Sequence, residues 1–322
     1  MKFLLCAVNS KYIHSNPAVY MLKAYADVYL DRSGPDIEIA EFTINNYSDE
    51  VLADIFEKKP DVLFFSCYIW NWEFVQDLIP DIRKVLPCCD IWLGGPEVSY
   101  DAKNILSSHR FVMGIITGEG EKTFTELIGD YYITRRKDLP DICGICFRSQ
   151  NKICFTKKRD LIQMDEIPFL YNEDNISRFD NRIIYYESSR GCPFSCSYCL
   201  SSREKVRYRS LENVFKELDF FLNHNVRQVK FTDRTFNADP QRCRRILEYL
   251  LEHDNGITNF HFEIEGNLLS DQEIAALAKM RPGLVQLEIG VQSANSVTLG
   301  AVRRNPDLSV IRSGVRKIKS IQ

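Results

Sequence analysis

The sequence lacks several features that would assign it to a common class at once. No apolar run approaches the roughly 18 residues that a membrane-spanning helix needs. Positive charge is not in excess, because 41 Lys and Arg residues stand against 44 Asp and Glu residues. The net charge of −3 predicts no basic surface for a nucleic acid. Repeats and low-complexity tracts are also absent. We therefore expect neither a membrane nor a nucleic acid as a partner.

The cysteines do not form a disulfide framework. There are 11 of them, an odd number, and they are scattered along the chain. This distribution is typical of reduced thiols and predicts a cytoplasmic protein. The hydrophobic content of 45% and the charged content of 26% are ordinary for a globular protein. A length of 322 residues favours two domains.

The first part of the chain alternates between strand and helix patterns. Five apolar, β-rich runs are each followed by a segment with helical spacing, from Lys2 to Tyr132. Five successive βα units predict an α/β domain, 1–137, with a doubly wound parallel sheet. Ligands of such sheets bind at the carboxyl ends of the strands. The candidate binding residues at these ends are Asn9, His14, Ser66, Gly94, Gly95 and Glu119.

The rest of the chain divides into two further segments. Residues 138–180 read as a hairpin followed by a polar linker. The hairpin contains a Cys143-x-x-Cys146 pair that we interpret as structural, with an auxiliary cluster or a redox role as the alternative. Residues 181–322 show four more βα units. The strand ends of this second domain carry Asp233, Glu265 and Gln292.

The most specific motif lies after the first strand of the second domain. It is C-x-x-x-C-x-x-C, formed by Cys192, Cys196 and Cys199. Soft thiolates suit iron–sulfur clusters, and three of them leave one iron of a [4Fe–4S] cluster open for a substrate or cofactor. A zinc site would need a nearby fourth ligand. The nearest Cys and His candidates are all distant in sequence: Cys154, His224 and Cys243.

This motif resembles the cluster loop of the radical S-adenosylmethionine (SAM) superfamily, including the aromatic Tyr198 before the last cysteine. The approach Ser189-Arg190-Gly191-Cys192-Pro193 resembles the cobalamin-associated branch of that superfamily. Residues 1–135 are similar to the cobalamin-binding domain of this branch, by the order of elements, the G-G-P-E turn and the G-E-G-E turn.

The resemblance implies a SAM site beside the cluster. The three cysteines would bind the [4Fe–4S] cluster, and SAM would bind its open iron. Backbone near Tyr198 would meet the adenine, and Glu265 would accept from the ribose hydroxyls. Gln292 and Ser293 resemble a G-x-Q-S segment that meets SAM. Asp233 would bind the amino-acid part of SAM or the substrate.

The resemblance also implies a reaction. A reduced cluster cleaves SAM to a 5′-deoxyadenosyl radical, and cobalamin can deliver a methyl group to an unactivated centre. The expected substrate is a small molecule, and the expected electron donor is a flavodoxin or ferredoxin. Barrels of this superfamily have more than four βα units, so we expect a partial barrel that is truncated.

One departure concerns cobalamin. Many cobalamin domains use D-x-H-x-x-G, whose His replaces the lower ligand of cobalt, and this chain has no such sequence. Three interpretations stay open. Cobalamin binds with no protein His on cobalt, His14 serves in a different geometry, or the domain has kept the fold and lost the cofactor. For His14 itself, an ordinary loop histidine is the alternative.

Two other functions stay open. A methylthio-transferring enzyme for RNA has the same triad and needs three more cysteines in the first domain, where Cys6, Cys67, Cys88 and Cys89 are available. A cluster- or cobalamin-binding protein without catalytic activity is the other alternative. Such a protein would bind its cofactor without consuming SAM.

Overall fold

The computed structural model describes residues 1–30, 34–135, 139–150 and 152–321. The chain forms two compact units. The first contains Met1–Ile162 and Glu166–Arg182, and the second contains Gln163–Asp165 and the chain from Ile183 onward. Within the described residues, no helix has both the length and the apolar character that crossing a membrane would require.

The first unit is built on one seven-stranded sheet. Its strands are β1 (Lys2–Asn9), β2 (Asp36–Thr43), β3 (Val62–Ser66), β4 (Asp90–Gly94), β5 (Val112–Ile116), β6 (Ile145–Ser149) and β7 (Lys152–Phe155). Its helices are α1 (Pro17–Tyr29), α2 (Ser48–Lys58), α3 (Trp72–Val85), α4 (Pro96–Ser99), α5 (Ala102–Ser108) and α6 (Glu121–Ile133). The strand order is β2-β1-β3-β4-β5-β6-β7, and the first five strands are parallel.

The sheet is buried on both faces, which confirms the doubly wound fold. Along β1, Leu4, Cys6 and Val8 enter one core, while Phe3 and Leu5 enter the other. This alternation follows from the two-residue period of a strand. Helices α2, α3 and α5 cover the first core, and α1 and α6 cover the second. A strand buried on both faces reads as a continuous apolar run, which is why the sequence predicted these strands well.

The predicted hairpin is confirmed as β6 and β7, which pair antiparallel. The hairpin also extends the first sheet, because β6 pairs antiparallel with β5. Cys146 lies in the core on one face of this sheet, whereas Cys154 packs against the core on the other face. Both cysteines therefore contribute to packing.

The second unit contains a four-stranded parallel sheet of order β13-β12-β11-β8. Its strands are β8 (Ile184–Tyr186), β9 (Ser189–Arg190), β10 (Arg207–Tyr208), β11 (Gln228–Phe231), β12 (Asn259–Ile264) and β13 (Val285–Ile289). Its helices are α7 (Leu211–Asn223), α8 (Pro240–Glu252), α9 (Asp271–Leu277), α10 (Ser296–Ala301) and α11 (Leu308–Lys319). The four predicted βα units are present, and the expected truncation stays a prediction.

The two faces of this second sheet differ in polarity. Phe260 and Phe262 on β12 are fully buried. The opposite face of the sheet carries charged side chains. There, Lys230 Nζ lies 3.6 Å from Glu263 Oε1 and 3.0 Å from Glu288 Oε2. The strands therefore have one apolar face and one polar face.

Candidate active site

The cluster loop, residues 191–199, leaves the sheet of the second unit after β8. The chain just before the loop, β9, pairs with β10, which follows the loop; the sequence did not predict this short antiparallel pair. Gly191 has a φ of +102°, and a Cβ at this position would lie 2.7 Å from the carbonyl oxygen of Lys205. Only glycine fits such a conformation and such a close approach. Residue 191, directly before Cys192, must therefore be glycine for the chain to enter the loop in this conformation.

Local hydrogen bonds give the three cysteines a defined arrangement. The Cys199 amide donates to the carbonyl of Cys196 at 3.1 Å, which closes a turn. The Ser202 hydroxyl donates to the carbonyls of Cys196 and Cys199 at 3.2 and 2.7 Å. Cys196 is 8% exposed, whereas Cys192 and Cys199 are half-buried. The Cys192 Sγ lies 3.5 Å from Thr235 Oγ1.

These residues fit a [4Fe–4S] cluster. Among the described residues, no three His, Cys, Asp or Glu side chains lie close enough to ligate a single metal ion. A cluster makes a different demand, because each thiolate binds a different iron. The donor set at this loop is Cys192, Cys196 and Cys199, all free thiols. The Thr235 hydroxyl, which donates to the Arg234 carbonyl at 2.8 Å, is the polar group that lies beside the Cys192 sulfur.

Asp233 lies after β11 and faces the strand that leads into the cluster loop. Its carboxylate accepts from the Ser188 amide at 2.8 Å, the Ser188 hydroxyl at 2.6 Å and the Ser189 hydroxyl at 2.7 Å. The residue is 1% exposed. Burial raises its pKa, although these hydrogen bonds oppose the shift. Asp233 thus holds the start of the loop, and its predicted contact with SAM stays a prediction.

Glu265 lies at the carboxyl end of β12 and is almost fully buried. Its Oε2 lies 2.5 Å from Nη2 of Arg304, and its Oε1 accepts from the Asn267 side chain at 3.2 Å. Its backbone is paired with the side chain of Asn237, through contacts of 2.9 and 3.1 Å. Glu265 is therefore a carboxylate with a fixed orientation at the same sheet edge as the cluster loop.

Gln292 and Ser293 lie beyond the end of β13. Gln292 is exposed and has a φ of +66°. Its side chain folds back over Gly290, because its Nε2 lies 2.7 Å from the place that a Gly290 Cβ would take. The Ser293 hydroxyl accepts from the amide of Asn295 at 3.1 Å, which shapes the turn before α10. The contacts of both with SAM stay predictions.

Arg304 is the residue of this site that sequence reasoning missed. It lies in the turn after α10, and its Nη2 also donates to the carbonyl of Gly290 at 2.6 Å. Tyr198, 54% exposed, interacts with it from the cluster loop. The sequence shows only a basic pair, Arg303-Arg304, after a short helix that was not predicted. A pair of arginines by itself predicts no particular role for either residue.

The predicted cobalamin residues lie at the carboxyl edge of the first sheet. The strand order reverses between β1 and β3, which makes their carboxyl ends the expected ligand crevice of such a sheet. Asn9 ends β1 and Ser66 ends β3. Both predicted residues therefore flank the crevice.

Asn9 and Ser66 also organise the loop after β1. The Asn9 side chain donates to the His14 carbonyl at 3.1 Å and to Glu41 at 3.0 Å. The Ser66 hydroxyl accepts from the Asn16 side chain at 3.4 Å. His14 is half-buried within this loop. The structure thus places His14 near the crevice, and its role toward cobalt stays a prediction.

Asn71 ties the two strand ends together. It is fully buried, and its Nδ2 donates to the carbonyls of Val8 and Ser66, each at 2.9 Å. Its Oδ1 accepts from the Tyr68 amide at 2.8 Å. Nothing in the sequence pattern indicates this bridging role.

The remaining predicted residues of this edge follow β4 and β5. Gly95 has a φ of +104°, and a Cβ there would lie 2.4 Å from the carbonyl oxygen of Cys67. At Gly94 the nearest atom would be 3.8 Å away, so a side chain would meet no obstruction. Glu119 accepts from the Ile162 amide at 3.0 Å and thereby anchors the chain after β7. Of the two glycines, the fold requires only Gly95.

An apolar surface also lies along this edge. The rings of Tyr68 and Trp70 stack with centroids 4.4 Å apart and an interplanar angle of 9°. The exposed apolar side chains on the loops of this edge are Tyr12, Ile13, Ile44, Tyr47, Ile69, Trp70 and Tyr100. Exposed aromatic groups of this kind typically mark a binding surface.

The buried thiols of the first unit are poor candidates for a second cluster. Cys6 and Cys67 are completely buried, and burial raises the pKa of each thiol far above its usual range. Burial likewise raises the pKa of Cys89 to about 12. Because thiolates are the ligands of iron, these environments disfavour cluster binding. The methylthio-transfer alternative is therefore not favoured.

Two families match the chain. The B12 binding domain matches residues 5–128, and the radical SAM superfamily matches residues 186–322. The chain therefore carries a B12-binding domain followed by a radical SAM domain. This agrees with the crevice in the first unit and the cysteine loop in the second.

Among curated proteins, the chain is similar to the cobalamin-dependent radical SAM methyltransferase TokK of Streptomyces tokunonensis, with 27% identity over 57% of this chain and 28% of TokK. It is 30% identical to the uncharacterized methyltransferase PH0819 of Pyrococcus horikoshii, over 66% of this chain and 48% of the relative. The structure of the cobalamin-dependent SAM radical enzyme OxsB, with aqua-cobalamin and SAM bound, matches with a TM-score of 0.79 and 17% identity, over 98% of this chain and 47% of OxsB. The chain thus spans less than half the length of these proteins.

Proposed function

We propose that this chain is the catalytic part of a cobalamin-dependent radical SAM methyltransferase. The observation that carries the proposal is the cysteine loop itself, which follows β8 at the carboxyl edge of a parallel sheet and contacts the turn that contains Arg304 through the Ser197 amide and the Val302 carbonyl. Such an edge is where βα architectures build their sites. TokK and OxsB, which are similar to this chain, are cobalamin-dependent radical SAM enzymes by name. Their common chemistry is the basis for the reaction proposed here.

The chain's own residues hold and orient the cofactors. Cys192, Cys196 and Cys199 would ligate the [4Fe–4S] cluster, and Glu265 would accept hydrogen bonds from the ribose of SAM. When bound, the cluster and SAM supply a 5′-deoxyadenosyl radical, and cobalamin supplies the methyl group. The protein's contribution is to position them and exclude water.

Cobalamin would bind at the crevice of the first unit. The stacked Tyr68 and Trp70 rings offer a flat apolar surface, and Gly94 leaves the backbone open to close approach. No D-x-H-x-x-G sequence supplies a lower ligand, so we propose that cobalt receives no protein His. We further propose a small-molecule substrate, a flavodoxin or ferredoxin as electron donor, and a cytoplasmic location.

The test is the production of 5′-deoxyadenosine. The chain is reconstituted anaerobically with iron and sulfide, given a reductant and SAM, and compared with Cys196→Ala. Product that is lost in the variant would support the proposal. A full cluster that yields no product would contradict catalysis by this chain and favour a binding protein. Cobalamin binding is measured separately, by the absorbance that stays with the protein after gel filtration.

A further inference from the structure

The turn after α10 contacts three parts of the proposed SAM site at once. The Ser197 amide, in the cluster loop, donates to the carbonyl of Val302 at 3.1 Å. The Arg304 Nη2 lies 2.5 Å from Glu265 Oε2 and 2.6 Å from the Gly290 carbonyl oxygen. This turn therefore joins the cluster loop to the carboxyl ends of β12 and β13.

We propose that Arg304 is the positioning residue of the SAM site, and that it fixes the carboxylate of Glu265 toward the ribose. This inference rests on the proposed function. It adds a residue outside every motif of the sequence, and it assigns that residue an action through Glu265 rather than a direct contact with the reacting atoms.

The contacts of Glu265 explain why an arginine is needed. A carboxylate has about four acceptor positions. The described residues fill three of them: Arg304 on Oε2, and the amide and side chain of Asn267 on Oε1, at 3.5 and 3.2 Å. An acceptor position is left for a hydroxyl group. A buried carboxylate also needs a countercharge, and Arg304, whose side chain is only 17% exposed, supplies it.

The charge of Arg304 is secure in this environment. Burial lowers its pKa, but the attraction of Glu265 and the interactions with Tyr198 outweigh burial and leave the pKa above its ordinary value. The guanidinium thus lies between the strand-end carboxylate and the cluster loop. A neutral side chain of similar length would keep the packing and lose the charge.

The experiment measures SAM binding by the full chain with its cluster reconstituted and left oxidised, so that SAM is not consumed. Equilibrium dialysis is applied to the wild type, Arg304→Met, Arg304→Lys, Glu265→Gln and the double variant Arg304→Met with Glu265→Gln. The control is Arg303→Met, because Arg303 is the exposed neighbour in the same turn. Iron and sulfide content is measured for each variant.

We expect Arg304→Met to bind SAM at least about tenfold more weakly than the wild type, which corresponds to about 1.4 kcal/mol. Arg304→Lys should recover part of this loss, and Arg303→Met should bind like the wild type. The double variant should be no weaker than the weaker single variant, because residues that act through one contact are not additive. Iron and sulfide content should stay unchanged throughout.

Three results would overturn the inference. These are wild-type affinity in Arg304→Met, fully additive losses in the double variant, and loss of iron in Arg304→Met, which would assign the residue to loop folding alone. Failure of the proposed function is distinguishable from these, because then the wild type would not bind SAM despite a full cluster.

Discussion

The carboxylate of Asp233 accepts both the amide and the hydroxyl of Ser188, at 2.8 and 2.6 Å. This contact joins the end of β11 to the chain that leads into the cysteine loop. The arrangement holds the loop through Ser188 and Ser189, which precede it, and not through the cysteines themselves. Asp233 therefore stabilises the start of the cysteine loop, whether or not it also contacts SAM.

Replacing Asp233 by Ala should destabilise the second unit. The change leaves the Ser188 amide and two hydroxyls without their acceptor, and an unsatisfied buried donor costs about 1–3 kcal/mol. The free energy of unfolding, measured in urea with the full chain, checks this. Asp233→Asn is the control, because its amide retains an acceptor and adds a donor for the hydroxyls. Equal stability of the two variants would contradict the prediction.

Asp233 should also give the stability a pH dependence. Because burial raises its pKa in the folded state, the stability that it contributes is full below the ordinary Asp pKa and is lost as the pH rises through the raised value. Between about pH 4 and neutrality, the wild type should therefore lose stability relative to Asp233→Asn. Urea unfolding at several pH values measures the difference. A difference that does not vary with pH would show that the pKa is not raised.

Gly95 and Gly94 should respond differently to alanine. At Gly95 the backbone conformation strongly disfavours a side chain, and a Cβ would clash with the carbonyl oxygen of Cys67. Gly95→Ala should lower the free energy of unfolding by about 1–3 kcal/mol. Gly94→Ala, with its nearest neighbour at 3.8 Å, should leave stability nearly unchanged. If Gly94→Ala were the more damaging variant, the assigned conformations would be wrong.

The three motif cysteines should be individually required for cluster assembly. Cys192→Ala, Cys196→Ala and Cys199→Ala should each lose most of the iron and sulfide after reconstitution, since each thiolate binds its own iron. Cys143→Ala and Cys154→Ala are the controls, because these thiols are half-buried, like Cys192. Both controls should keep a full cluster. Loss of iron in either control would indicate a second cluster at the hairpin.

The sequence predicted the elements whose information is local. The continuous apolar run of β1 and the polar strand end at Asn9 identified a buried parallel strand with a candidate site. The sequence did not predict β9 and β10, because strands of two residues show no period. It also missed α10, whose six residues are too few for a clear helical pattern.

By itself, the sequence determined the chemistry of the cluster site, because the spacing of Cys192, Cys196 and Cys199 places all the ligands on one short loop. Only the tertiary structure decided what surrounds that loop. Glu265 and Arg304 are 39 positions apart, and Ser188 and Asp233 are 45 apart. Contacts over such separations depend on how strands and turns are placed in space. A sequence pattern shows the residue types but not which of them come into contact.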